Sequence, residues 1–253
     1  MNEPRFDYDR SDVSERYRRA RGLDQRMLGL WMDLLTSRVP AAGVKRLLDA
    51  GCGTGRFAAP LARAYGVGTI GLDPSQKMLR EAEKSADVHY VRGRIEALPF
   101  ADEWADLVFI SMAWHHLTDR RLAAAELHRI QPPGGYLFIR NSTRDSIESY
   151  FYMRFFPEAR RIMEGKLPWR ADLIGDIQQQ GYALLEQDII RYPRDSAPAD
   201  YAERIALRGL SDLAALPDAD FEKGLAALRA HCAQDKTPRG LGEDVEFFVF
   251  RRL

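Results

Sequence analysis

The chain holds only two cysteines, Cys52 and Cys232, in 253 residues. So few thiols exclude a disulfide framework and a thiolate metal site; Cys52 reads as a small packed residue and Cys232, late on an expected helix, as ordinary core or surface. No apolar run approaches the ~20 residues a membrane-spanning helix requires. The opening stretch MNEPRFDYDRSDVSERYRRARG is charged where a secretory leader is apolar. Neither charge sign is in excess: 37 Lys plus Arg meet 37 Asp plus Glu, so no global field draws nucleic acid or an anionic membrane. Internal repeats and low-complexity tracts are also absent. The expectation is a cytoplasmic protein with no metal, no nucleic-acid partner and no membrane partner. Its oligomeric state is not legible.

What is present is material for a core. Apolar residues make up 45% of the chain, and the length suits one α/β domain carrying a cap. Residues 12–38 read as helix, with Leu23, Met27, Leu28, Leu30, Trp31, Leu34 and Leu35 as its apolar stripe. Short apolar runs then alternate with amphipathic stretches. Strands are expected at 46–50, 68–73, 88–93, 106–112 and 136–140, and helices at 55–66, 75–85 and 119–130. Strands apolar on both faces, separated by helices, argue for a parallel sheet covered on each side. The rhythm breaks after Arg140, where aromatics (Tyr150, Phe151, Tyr152, Phe155, Phe156, Trp169) mix with arginines. Strands resume at 183–192 and 245–250, around helices near 199–209 and 218–233.

The stretch LLDAGCGTGRFAAPLA (47–62) runs a strand into a helix through Gly51, Gly53 and Gly55. Such a turn presents backbone N–H groups and a helix N-terminus at the carboxyl edge of the sheet, where open α/β folds bind ligands. Glycine is needed where φ is positive or a Cβ would strike something. Asp73 ends the second strand, eighteen positions after Gly55 (73 − 55). A carboxylate there suits the two hydroxyls of a ribose; it equally suits the cap of a helix starting near Ser75. The glycines follow G-x-G-x-G, and residue 56, where a dinucleotide fingerprint has its third glycine, is arginine. The Lys-Ser/Thr pair of a P-loop is missing too. The loop therefore suits a nucleoside ligand without pyrophosphate.

Four motifs, LLDAGCGTG, GLDPSQKML, EALPFADEWADLVFISMAWHHLTD and PPGGYLFIRN, span about residues 44–141. In order and spacing they resemble class I S-adenosylmethionine-dependent methyltransferases, in particular the bacterial small-molecule group that includes ubiquinone/menaquinone-type enzymes. The resemblance implies an α/β, Rossmann-like sheet, mostly parallel with an antiparallel last strand and helices on both faces. It also implies an N-terminal helical cap (1–40) before a cofactor-binding domain (41–253), which carries a substrate-cap insert at about 141–180 and extra helices at about 199–233.

By that resemblance the cofactor is S-adenosylmethionine. Gly51, Gly53 and Gly55 lie under its methionine part, Asp49 faces its ammonium, and Asp73 holds its ribose. Pro74 and Met78 lie against the adenine, and Ser111 meets the amine. Arg94 stands where relatives have Asp or Ser, and a guanidinium accepts no hydrogen bond; adenine recognition then falls to the Ile95 backbone, or Arg94 stacks on the ring. His115 and His116 are the candidate catalytic bases, His115 being expected as the more exposed and the second histidine as a packing residue. Candidate contacts to a small-molecule methyl acceptor are Tyr17, Arg21, Trp114, Arg140, Asn141, Arg144, Tyr150 and Phe155. The aromatics equally suit a helix-packing role. The expected activity is methyl transfer to an O, N or C atom, governed mainly by alignment and desolvation. A cofactor-binding protein without turnover is the alternative, and a nicotinamide oxidoreductase is disfavoured by the loop spacing.

Overall fold

A computed structural model describes residues 25–193, 197–234 and 241–253. Tyr17 and Arg21 lie outside them. The described residues open on helix α1 (Gln25–Arg38). Strand and helix then alternate: β1 (Leu47–Ala50), α2 (Ala58–Tyr65), β2 (Thr69–Asp73), α3 (Gln76–Arg80), β3 (Val88–Arg92), β4 (Leu107–Ser111), α4 (Arg120–Ile130) and β5 (Tyr136–Asn141). After α5 (Pro157–Lys166) and α6 (Arg170–Gln178) come β6 (Tyr182–Pro193), α7 (Pro198–Ala206), α8 (Ser211–Ala214), α9 (Asp218–Gln234) and β7 (Gly242–Arg252).

The sheet order is β3-β2-β1-β4-β5-β7-β6. The pairs within β3-β2-β1-β4-β5 are parallel. β7 pairs with β5 antiparallel, Phe138 opposite Val249. This is the Rossmann-like α/β fold the sequence implies. The order reverses between β1 and β4, the position where such sheets bind ligands at their carboxyl ends.

Alternation along the strands serves two layers. Leu48, Ala50, Val108, Ile110, Leu137 and Ile139 point to one face, where Ala123, Leu127 and Ile130 of α4 and Leu173 and Ile177 of α6 cover them. On the other face Phe57, Phe109, Phe138 and Phe247 form a ladder with centroid spacings of 5.0, 5.8 and 5.7 Å. Trp31 of α1 closes it edge-on to Phe247 at 6.5 Å. Each such aromatic pair contributes about 0.5–1.5 kcal/mol beyond its burial. The α1 stripe is narrower than the sequence pattern: Met27, Trp31 and Leu35 are buried while Leu30 is exposed.

Helix boundaries follow local chemistry. Asp119 caps α4 by accepting from the Leu122 N–H at 2.9 Å, and Gly66 (φ +66°) ends α2 in the left-handed region. The helix expected over 75–85 stops at Arg80. The Glu81 N–H is shared between the Lys77 and Met78 carbonyls, and the Tyr90 hydroxyl takes the Glu83 carbonyl at 3.1 Å.

Among the described residues, those within 142–168 and 189–245 form a compact unit distinct from the sheet-bearing ones within 25–141, 169–188 and 246–253. The segment after β5 therefore divides near Trp169, α5 going to one unit and α6 to the other. The 142–168 and 189–245 unit has its own core, including Tyr150, Tyr152, Phe156, Met163, Tyr201, Ile205 and Leu228. Gly224 of α9 is required there, because a Cβ would meet the Phe156 ring at 2.5 Å.

Candidate functional site

Gly51, Gly53 and Gly55 sit at φ +76°, +55° and +71°, a region that L side chains rarely enter. Their surroundings differ. A Cβ on Gly51 would collide with Ala113 just past β4, and one on Gly55 with the Tyr90 hydroxyl; on Gly53 it would meet nothing within 4 Å. Two glycines thus serve close packing, and the middle one leaves the loop open. Gly51→Ala is accordingly expected to lower stability by about 2–4 kcal/mol in thermal melts. Gly53→Ala should cost about 1 kcal/mol and weaken the ligand instead.

The loop hangs from β2. The Gly51 and Cys52 N–H groups donate to the Leu72 carbonyl at 2.7 and 3.0 Å. The Gly53 N–H donates to Asp73 Oδ2 at 2.8 Å, and the Ser75 N–H to Asp73 Oδ1 at 2.9 Å. Ser75, not Asp73, caps α3: its Oγ accepts from the Met78 N–H at 3.1 Å. Asp73 therefore ties the glycine turn to the β2–α3 turn. Met78 is buried beneath this turn, and exposed Pro74 offers its carbonyl to Arg92.

Asp49, on β1 beneath the loop, is 1% exposed, and its Oδ2 has no hydrogen-bond partner. Burial pushes its carboxyl up to about 8; the nearby Arg56 opposes this and the Asp73 charge adds to it. An orphaned, buried acid under an open glycine turn fits a ligand that brings a positive charge on a compact head group.

β4 delivers the other wall. Met112 follows it at φ +55°, strain of order 1 kcal/mol or more, and its N–H donates to the Arg140 carbonyl at 2.7 Å. The turn sets Ala113 against Gly51 and starts a 3₁₀ turn, Trp114–His116. Trp114 is fully buried in the sheet's core. His115 is 4% exposed and His116 half-buried, which reverses the expected order of exposure. The short turn directs residue 115 back toward β5, where its Nδ1 lies 3.1 Å from Asn141 Oδ1. The two imidazoles pack at 4.1 Å between centroids.

Arg140, 3% exposed, reaches Ser111 Oγ at 3.1 Å. Its guanidinium lies over Trp31 at 4.6 Å and Phe57 at 5.6 Å. Arg94 donates to Glu96 Oε1 at 3.2 Å and Thr118 Oγ1 at 2.8 Å, so its head group is engaged with protein partners. The Ile95 side chain is buried near Gly51.

The structure brings Asp49, the three glycines, Asp73, Ile95, Ser111, His115, Arg140 and Asn141 to the carboxyl ends of β1, β2, β4 and β5. Tyr150 and Phe155 belong to the core of the 142–168 and 189–245 unit, with the Tyr150 hydroxyl bonded to Ser142. Arg144 opens a 3₁₀ turn in that unit, its N–H donating to the Pro168 carbonyl at 2.8 Å. Tyr90 escaped sequence reasoning. Glycine at position 71 inside a strand was its one signal, since a Cβ there would meet the Tyr90 ring at 2.8 Å.

Residues 48–139 match the family model described as a methyltransferase domain. A malonyl-[acyl-carrier protein] O-methyltransferase from Enterobacter lignolyticus is 34% identical over 199 residues, which are 78% of this chain and 68% of the relative. A demethylmenaquinone methyltransferase from Renibacterium salmoninarum is 36% identical over 43% of this chain and 46% of its own. The chain spans between 39% and 53% of several other malonyl-[acyl-carrier protein] O-methyltransferases. A crystal structure titled as a putative methyltransferase from an antibiotic biosynthesis pathway, from Anabaena variabilis, superposes with TM-score 0.74 at 22% identity, covering 92% of this chain and 99% of that one. The chain belongs to the class I S-adenosylmethionine-dependent methyltransferases, with S-adenosylmethionine as its cofactor.

Proposed function

We propose that this methyltransferase acts on a small molecule whose accepting atom carries an acidic proton, of the phenol or hydroquinone kind, and that His115 receives that proton. The cofactor, when bound, supplies an electrophilic methyl group on a sulfonium. The reading of its site rests on the unpartnered Oδ2 of Asp49 below the positive-φ loop. Asp49 takes the ammonium, Asp73 the ribose hydroxyls, and Gly53 leaves room for the methionine portion. Met78 and Pro74 flank the base, the Ile95 backbone recognises its edge, and Ser111 adds a contact to the amine. Arg94, held by Glu96 and Thr118, braces the turn from outside.

Displacement at a methyl group needs alignment and exclusion of water more than acid–base help. A protonated oxygen or carbon acceptor adds one requirement, a nearby proton acceptor. His115, in the turn after β4, lies against Asn141 at the end of β5 and meets it. A relative named for demethylmenaquinone supports this substrate class. A carboxylate on a carrier-bound acyl group is the second reading, favoured by the malonyl-[acyl-carrier protein] relatives and by the buried cation of Arg140. It needs no base.

The two acceptors separate experimentally. With a reduced naphthoquinone as acceptor, His115→Gln should lower kcat by about a hundredfold while S-adenosylhomocysteine binds as before. Wild-type turnover restricted to malonyl-acyl carrier protein, unchanged in His115→Gln, would reject the hydroquinone reading.

A further inference from the structure

The contact between His115 Nδ1 and Asn141 Oδ1, 3.1 Å long, joins two buried groups at the ends of adjacent strands. An amide oxygen only accepts hydrogen bonds. With the amide oxygen toward the ring, the imidazole carries its proton on Nδ1, and in the neutral ring Nε2 keeps the lone pair. Free imidazole side chains favour the opposite arrangement, with hydrogen on Nε2, so the tautomer is one that the protein imposes. We infer that Asn141 is a positioning residue that fixes His115 as the Nδ1–H tautomer and aims a proton-accepting Nε2 at the reaction.

Rigidity supports the assignment. Asn141 ends β5 fully buried, directly opposite Glu246 of β7. Glu246 is itself fully buried and paired with Arg170 at 2.5 Å. His115 is held from the other side by the strained turn at Met112 and by the tilted His116 ring packed against it. An amide fixes this tautomer without adding a charge, whereas a carboxylate in its place would fix it and also raise the basicity of the imidazole. Asn141 thus acts through His115 and not by contacting the acceptor. The inference rests on the proposed base role of His115, but its first readout does not.

Full-length protein labelled with [15N]histidine reports each ring's tautomer through long-range 1H–15N correlations, and the His115→Gln spectrum identifies the His115 signals. The wild type should show hydrogen on Nδ1 and a pyridine-like Nε2. Asn141→Leu should lose that pattern, with kcat toward a reduced naphthoquinone falling about tenfold or more and acceptor KM and S-adenosylhomocysteine affinity within about twofold. Asn141→Asp, which still accepts from Nδ1–H, should restore the hydrogen on Nδ1. A wild-type His115 carrying its hydrogen on Nε2 overturns the inference even if Asn141→Leu fails to fold. So does an Asn141→Leu protein whose tautomer is unchanged. Failure of the base role looks different: His115→Gln turns over normally while the wild-type spectrum still shows Nδ1–H.

Discussion

Asp73→Ala is expected to weaken S-adenosylhomocysteine binding by a hundredfold or more, the largest single loss at this site. Two effects combine. The carboxylate accepts from the Gly53 and Ser75 N–H groups at 2.8 and 2.9 Å, so its removal strands two donors and frees the glycine turn from β2. It also removes the acceptor proposed for the ribose hydroxyls. Hydrogen bonds to a charged group are worth about 1.5–3 kcal/mol each, and two of them correspond to roughly a hundredfold or more in affinity. Stability should fall less, by about 1–3 kcal/mol, because Ser75 still caps α3 and Gly51 still hangs from Leu72. Asp73→Asn separates the parts: one oxygen remains, but the amide end presents N–H to a donor. Its affinity should lie between wild type and alanine. Titration calorimetry on folded variants decides the matter, and an alanine variant that binds within about threefold of wild type removes Asp73 from the site.

The first five strands were legible because each is a short run punctuated by glycine, proline or a capping residue; burial on both faces of β1, β4 and β5 leaves no competing pattern there, while edge strand β3 is buried only at Val88. The glycine turn was legible for the same local reason: all three positions do take positive φ. What sequence could not separate was the purpose of each glycine, since Gly51 answers to Ala113 and Gly55 to Tyr90, partners 62 and 35 positions away (113 − 51; 90 − 55). The same distance problem hid the order of burial at His115 and His116. Their neighbour in sequence says nothing of Asn141, which captures the first ring from an adjacent strand. Ser75 could have been chosen over Asp73 as the cap, because it stands immediately before α3 and bonds three residues ahead. Arg94 was read as a gap in adenine recognition; its engagement with Glu96 and Thr118 depends on a loop that follows β4. The division of the segment after β5 was beyond local patterns as well, because aromatics at 150–156 are buried by residues 201–228.

Asp49 carries the second large effect, and its sign follows from its ionisation. In the folded protein burial holds its carboxyl near 8, against about 3.9 in an unfolded chain. Between those values the unfolded state has already lost the proton that the folded state keeps, so the group makes the cofactor-free protein less stable as pH rises from about 4 to 8, with no further loss above. A cationic ammonium placed on Asp49 reverses the preference and ionises the carboxyl. Below pH 8 binding must then release a proton, and affinity should climb by up to about tenfold per pH unit toward that value. Above it the carboxyl is already ionised before binding, so no proton is released and affinity should level off. Asp49→Asn removes the ionisable group while keeping its shape. Its cofactor-free form should melt several degrees higher, by about 2 kcal/mol, bind S-adenosylhomocysteine at least about tenfold more weakly at pH 8, and show no acid-side slope. Calorimetry in buffers of different ionisation enthalpy counts the released proton directly. A flat affinity between pH 6 and 8, with no proton released, would mean that the buried carboxyl does not meet the ammonium. A single acid would then weaken the fold without serving the cofactor, whereas the expected result makes that instability the source of binding energy.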